Sequence, residues 1–255
     1  MAASQSKPKF ILVTGGNRGI GFAIVKSLAQ CADLDQASTT ILMGCRNLTL
    51  ADSAVAGLNA LGGHTVRPIL LDVASDDSIR NATSHVEQTY GHLDVLVNNA
   101  GYASMALAPD FSDLRSSFQD VYNVNVSSAA LVTRLFLPLL RKSIAGKVIQ
   151  VSSARGSLTK ISNNELPPTA ALSYSVSKAA LNALTLLLAQ EPENSRIEFQ
   201  MAGPGHCKTR FNNFRGLRDP EEGANVVVEL VIGERRPTAH YETVGTSREL
   251  VVIPW

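Results

Sequence analysis

Short apolar runs rich in β-branched residues alternate along this chain with longer stretches of helical period. FILVT (10–14), TTILM (39–43), VRPILLDV (66–73), LDVLVNN (93–99), KVIQVSS (147–153), RIEFQMA (196–202) and ELVVIP (249–254) read as seven strands. Between them, GIGFAIVKSLAQ, DDSIRNATSHVEQTYG, NVSSAALVTRLFLPLLRK and SYSVSKAALNALTLLLAQ repeat apolar residues at helical spacing. Strands separated by helices at this rhythm predict right-handed crossovers and a parallel sheet covered on both faces. The unbroken apolar character of VLV and VIQV suits strands buried on both sides. The expectation is one doubly wound α/β domain over 10–255 around a central parallel seven-stranded sheet, preceded by a mobile tail, 1–9. The polar, proline-containing SLTKISNNELPPTAAL (157–172) reads as a loop insertion within that domain.

A chain of 255 residues, 45% hydrophobic and 18% charged, is large enough for one substantial core. A net charge of +1 with no block of like charge gives no reason to expect nucleic acid or an anionic membrane as a partner. No stretch reads as a membrane-spanning helix, and MAASQSKPKF lacks the apolar core of a signal peptide. Cys31, Cys45 and Cys207 are far apart and odd in number, so neither a disulfide framework nor a metal site is indicated. The expected setting is a reducing one, the cytoplasm.

The first strand runs into Thr14-Gly15-Gly16-Asn17-Arg18-Gly19-Ile20-Gly21 and then a helix. Glycines let the backbone turn tightly and approach a ligand, and the helix N-terminus offers free N–H groups and a positive dipole to an anion. Strand, glycine turn and helix together point to a dinucleotide phosphate in a Rossmann-type crevice, although G-x-x-x-G-x-G differs from the commonest fingerprint. An NAD site usually places a carboxylate near the end of strand two, and here that stretch is LMGCRN. Arg46, with Arg18 from the glycine turn, would instead clamp a 2′-phosphate, so NADPH/NADP+ is favoured.

Further landmarks follow at strand ends: Asp72-Val73, Asn98-Asn99-Ala100-Gly101, Ser152-Ser153 and Pro204-Gly205-His206-Cys207-Lys208-Thr209. Tyr174-x-x-x-Lys178 opens a helix, and residues four apart stack on one helix face. By itself such a pair is a common amphipathic pattern. The ordered set T-G-x-x-x-G-I-G, N-N-A-G, Ser, Y-x-x-x-K and P-G-x-x-x-T resembles the short-chain dehydrogenase/reductase family from about Phe10 onward. Within it, the chain looks most like the carbonyl reductases.

The resemblance implies Tyr174 as the acid that protonates a substrate carbonyl, with Lys178 lowering its pKa and bonding the nicotinamide ribose. It implies Ser153 as the donor to the substrate oxygen, with Ser152 as the alternative. Asn125 would complete a proton relay to the lysine, with Asn123 as its competitor. Cofactor contacts are implied for Gly15, Asn17, Arg18, Gly19, Ile20, Gly21, Arg46, Asp72, Val73, Asn99, Ala100, Gly101, Tyr174, Lys178, Pro204, Gly205, Cys207 and Thr209. Ser153 and Tyr174 lie farther apart than is usual in the family, which puts the extra residues, 160–169, near the substrate mouth. Met105 and Leu158 are candidates to line the pocket.

The expected function is therefore an NADPH-dependent oxidoreductase reducing a ketone or aldehyde, with a small-molecule carbonyl as substrate. The same fold running alcohol oxidation, or binding a dinucleotide in a non-redox role, stays open. A homodimer or homotetramer is possible, and a monomer is not excluded.

Overall fold

The computed structural model describes residues 8–34, 39–104, 108, 110–169 and 171–255. Its elements are, in chain order, β1 (Lys9–Val13), α1 (Gly19–Ala29), β2 (Thr39–Cys45), α2 (Leu48–Ala60), β3 (Thr65–Leu70), α3 (Asp76–Tyr90) and β4 (Val95–Asn98). They continue with α4 (Leu114–Tyr122), a π-helical turn (Asn123–Ser128), α5 (Ala129–Leu140), β5 (Lys147–Val151), α6 (Leu158–Ser162) and α7 (Leu172–Ala189). The last are β6 (Glu198–Ala202), α8 (Pro220–Ile232), β7 (His240–Thr243) and β8 (Leu250–Ile253).

The strands form one sheet in the order β3-β2-β1-β4-β5-β6-β7-β8. β1 pairs in parallel with both β2 and β4, so the order reverses there and opens a crevice above the carboxyl ends of the strands. Alternation along β1 feeds two cores: Ile11 and Val13 pack with α1, α2 and α8, while Phe10 and Leu12 pack with α3, α5 and α7.

Several expectations are corrected. The sheet has eight strands, not seven, because HYET at β7 also pairs, on β6. Its short run of polar residues carries no strand signal, and it forms because β6 offers it an edge. The sheet is also not wholly parallel, since β8 returns antiparallel on β7. The 157–172 segment is not all loop: Ser157 caps α6, accepting from the Lys160 N–H at 3.1 Å. The strand assigned to start at residue 10 begins at Lys9; residues 1–7 of the expected tail lie outside the described residues.

By length and composition, the continuous helical run Leu114–Leu140 and α7 could cross a membrane, contrary to the expectation that nothing reaches that length. Both instead lie against the sheet, with Val132, Phe136, Leu181 and Leu188 buried. They are core helices.

His240, at the start of β7, is 1% exposed, and neither ring nitrogen has a hydrogen-bond partner among the described residues. Burial pushes its imidazole down to about 4, and the positive charges of Lys178 and Lys160 add to the effect. An unfolded histidine titrates near about 6.5, so between that pH and about 4 only the unfolded chain takes up the proton. Folding stability is therefore full above that window and falls as pH drops through it, by about 3 kcal/mol in all. A His240→Leu variant should be at least as stable as the native chain at pH 7 and should lose less stability on going to pH 4.5. Urea denaturation at the two pH values measures this, and equal losses in both proteins would refute it.

Candidate active site

The glycine turn is held by β4. The Asn99 side-chain amide donates to the carbonyls of Thr14 at 2.9 Å and Gly15 at 3.3 Å. The buried Thr14 hydroxyl accepts from the Asn99 and Ala100 N–H groups, both at 3.0 Å. N-N-A-G is thus a clamp that fixes the loop after β1 to the loop after β4. Gly15 sits at φ +63°, where an L side chain is strained, and a Cβ there would also crowd the Ala100 backbone at 3.2 Å. A Cβ on Gly21 would meet the Gly15 carbonyl oxygen at 2.3 Å. Glycine at these two positions keeps a backbone-lined cradle open at the N-terminus of α1, as an anionic group requires.

Around the cradle, Arg18 and Arg46 are exposed, and neither forms an ion pair among the described residues. Asp72 follows β3 and accepts the Ala74 N–H at 3.1 Å. Val73 and Ala100 share a narrow cleft with Thr14, Val124 and Ser128. From the other side, Thr209 approaches the glycine turn: its Cβ lies 3.6 Å from where a Gly19 Cβ would be. Gly205 turns the chain after β6 at φ +80°, and the buried Cys207 accepts the Asn212 side-chain N–H on its carbonyl at 2.8 Å. The residues present fit a dinucleotide: a phosphate cradle, two uncommitted arginines beside it and a cleft leading along the sheet edge.

At the end of β5 the two serines diverge. Ser152 is buried, and its hydroxyl donates to Asn182 at 2.6 Å. Ser153 is half-buried at the start of the turn Ala154–Gly156, and its hydroxyl hydrogen-bonds the Tyr174 phenol. A Cβ at Gly156 would come within 2.7 Å of the Lys178 carbonyl carbon, so this glycine lets α7 lie directly on the turn. That approach brings Tyr174 and Lys178 to the sheet edge on one helix face. The Lys178 ammonium donates to the Val151 carbonyl at 2.7 Å and sits 5.6 Å from the centroid of the Tyr174 ring.

Burial pushes Tyr174 up to about 12, with the Ser153 hydrogen bond and the Arg155 charge only partly offsetting it. Burial also pushes the Lys178 ammonium down, to about 8. Without a charged ligand beside it, the site therefore holds a neutral phenol next to a lysine that gives up its proton readily.

Asn125 lies in the π-helical turn, not in regular α-helix. Its carbonyl oxygen accepts the Tyr102 N–H at 2.8 Å, and its amide donates to the Tyr102 carbonyl and the Ser177 hydroxyl, both at 2.9 Å. Ser177 in turn donates to the Tyr174 carbonyl at 2.7 Å. A Cβ on Gly101 would lie 3.4 Å from the Asn125 oxygen and 4.0 Å from the Lys178 nitrogen, so both groups border one small space. π-bulges often occur at functional sites, where the extra residue re-aims a side chain. Asn123, the competitor, only lends its backbone carbonyl to the Ser128 hydroxyl at 2.8 Å.

Several participants carried no sequence signal. The Phe211 ring packs edge-on to Tyr174 with centroids 5.7 Å apart, and Ser177 and Arg155 touch the site only through tertiary contacts. Leu158, expected to line the pocket, is exposed on α6. Met105 lies outside the described residues.

A family model described as short chain dehydrogenase matches residues 9–219. A short-chain dehydrogenase/reductase of Aspergillus fumigatus is 35% identical over 99% of both chains. A short-chain dehydrogenase of Penicillium roqueforti is 32% identical over 99% of this chain and 100% of its own. Among solved structures, the NADPH-bound carbonyl reductase from chicken fatty liver superposes with a TM-score of 0.80 at 25% identity, covering 98% of this chain and 100% of that one. An eight-stranded doubly wound sheet, a clamped glycine turn and a Tyr-Lys pair on its ligand edge, matched end to end by such relatives, make this chain a member of the short-chain dehydrogenase/reductase family of oxidoreductases.

Proposed function

We propose that the protein is an NADPH-dependent reductase of ketones or aldehydes, working in the reducing cytoplasm. The observation that carries this reading is the Ser153–Tyr174–Lys178 cluster facing the cradle at the same sheet edge. Gly15, Asn17, Arg18, Gly19, Ile20 and Gly21 would hold the pyrophosphate, and Arg46 with Arg18 the 2′-phosphate. Asp72, Val73, Asn99, Ala100 and Gly101 would lie along the adenosine half. Pro204, Gly205, Cys207 and Thr209 would meet the nicotinamide. NADPH, when bound, supplies the hydride.

The remaining work falls to the chain's own groups. The Ser153 hydroxyl donates to the substrate carbonyl oxygen, and the Tyr174 phenol gives that oxygen its proton. Lys178, charged at neutral pH, bonds the ribose and counters negative charge left on the phenol. Asn125 and Ser177 hold the Tyr102 loop and the first turn of α7 in register.

Burial keeps the Tyr174 proton on at neutral pH, which suits a proton donor to a carbonyl oxygen. The closeness of the NADPH-bound carbonyl reductase structure points the same way.

Tyr174→Phe should lower kcat by roughly 10²–10⁴-fold, the range typical of a general acid, while the dissociation constant for NADPH stays within about threefold. Steady-state turnover of a ketone panel and NADPH fluorescence titration measure the two. Unchanged turnover would remove Tyr174 from the acid role.

Replacing Arg46 with Asp removes a charged donor and adds a repelling carboxylate at the 2′-phosphate position. The ratio of NADPH to NADH efficiency should fall by at least about 10–100-fold, mostly through KM for NADPH. A ratio that does not move would exclude Arg46 from the phosphate clamp.

A further inference from the structure

Arg155 stands on the turn directly after β5, two residues beyond Ser153. Its backbone N–H donates to the Ser153 hydroxyl at 3.3 Å, and its positive charge lowers the Tyr174 phenol. The side chain therefore lies at the reacting end of the crevice, far from the arginines beside the glycine cradle. One of its nitrogens, Nη1, donates to the Pro167 carbonyl at 3.2 Å, which ties it to the 157–169 insertion. The rest of the guanidinium meets no acceptor and no carboxylate among the described residues.

Of the other cations in neighbouring segments, Lys160 and Arg218 are spoken for, while Arg210 is exposed and keeps its hydration. Lys160 pairs with Glu242 at 3.3 Å. Arg218 bonds the Thr243 hydroxyl at 2.7 Å and the Gly245 carbonyl at 2.6 Å. Arg155 is half-buried, so part of its hydration is already gone, and an uncompensated cation in that setting gains most from an anionic partner that it can fork. Leu158, three residues along the chain, and Phe211, packed on the Tyr174 ring, are exposed apolar side chains.

We propose that Arg155 determines specificity: the substrate is an apolar, largely aromatic ketone that also carries a carboxylate or an equally acidic oxygen, and this anion docks on the Arg155 guanidinium while the carbonyl faces Ser153 and Tyr174. The anion lies a short spacer from the carbonyl, because Arg155 stands two residues beyond Ser153 on the turn after β5. This assignment rests on the reductase reading above. A purely structural arginine would instead only staple the insertion through Pro167 and would treat acidic and neutral substrates alike.

The test uses a panel of aryl keto acids with short spacers between carbonyl and carboxylate, each paired with its methyl ester. Native chain, Arg155→Gln and Arg155→Lys are compared in kcat/KM with NADPH, and in calorimetric binding of acid and ester to the NADPH-loaded protein. In the native chain the best acid should exceed its ester by about 10–100-fold, the worth of a charged hydrogen-bonded contact. Arg155→Gln should bring that ratio to near one, whatever common change it makes to acid and ester turnover through the phenol, and Arg155→Lys should restore part of it. Binding should follow the same order and needs no turnover to be read. An acid-to-ester ratio near one in the native chain, or a ratio that survives Arg155→Gln, would overturn the assignment. Acid-selective binding without reduction of any compound would keep the Arg155 site and defeat the reductase reading, so the two failures are distinguishable.

Discussion

The site depends on how closely α7 lies against the turn after β5. Only a residue without a side chain at Gly156 lets the helix backbone come this near, and the Lys178 ammonium then reaches the Val151 carbonyl at 2.7 Å. That bond ties a helix to the carboxyl end of a central strand. Everything that follows in register, the Tyr174 phenol one turn earlier and Ser177 beneath it, inherits its position from this contact. A helix held one residue out of register would turn the phenol by about 100° away from Ser153. The matching constraint on the cofactor side is the Asn99 clamp, which fixes the glycine turn by bonding the two carbonyls that would otherwise be free. Two local devices thus set the two ends of the same crevice.

Burial does the electrostatic work in opposite senses on the two neighbours. It disfavours charge on both, so the phenol keeps its proton more firmly and the ammonium holds its own less firmly. Desolvation is the largest influence on the phenol here, and the Ser153 and Arg155 contributions offset only part of it. A further positive charge next to the pair, as the oxidised nicotinamide would supply in the proposed reduction, would favour the phenolate. On this view the acid is strong only as the reaction proceeds, which makes stabilisation of the transition state larger than that of the ground state.

Much of the architecture was legible because it follows from periodicity. Runs such as FILV and VIQV are buried on both faces, and the helices between them carry apolar stripes. β7 was not legible, because HYET is short and half polar, and its pairing with β6 is a property of the sheet edge and not of the tetrapeptide. The antiparallel return of β8 was equally hidden, since a strand's apolar content does not encode its direction. In the site, residues set by sequence spacing were found together: Tyr174 with Lys178, and the glycines with N-N-A-G. The choice between Ser152 and Ser153 needed coordinates, because only the partner of each hydroxyl separates the two. Asn125 in a π-helical turn, Phe211 on the tyrosine ring and Arg155 beside the phenol arise from contacts between segments distant in sequence.

Charge illustrates the same divide between composition and placement. A net charge of +1 describes a chain with nearly balanced acids and bases, and it gives no reason to expect a polyanionic partner without saying where the imbalance lies. In the fold, several basic side chains away from the crevice meet a carboxylate: Lys26 with Glu221, Arg134 with Glu191, Lys142 with Glu87 and the buried Lys147 with Glu198. Arg18, Arg46 and Arg155 meet no carboxylate among the described residues, and all three follow the carboxyl ends of sheet strands. Surface ion pairs contribute little to stability, so their absence here costs the fold little. The same three cations would focus an attractive potential on the anionic cofactor proposed at one end and the anionic substrate proposed at the other. A protein nearly neutral overall can in this way present a strongly polarised crevice.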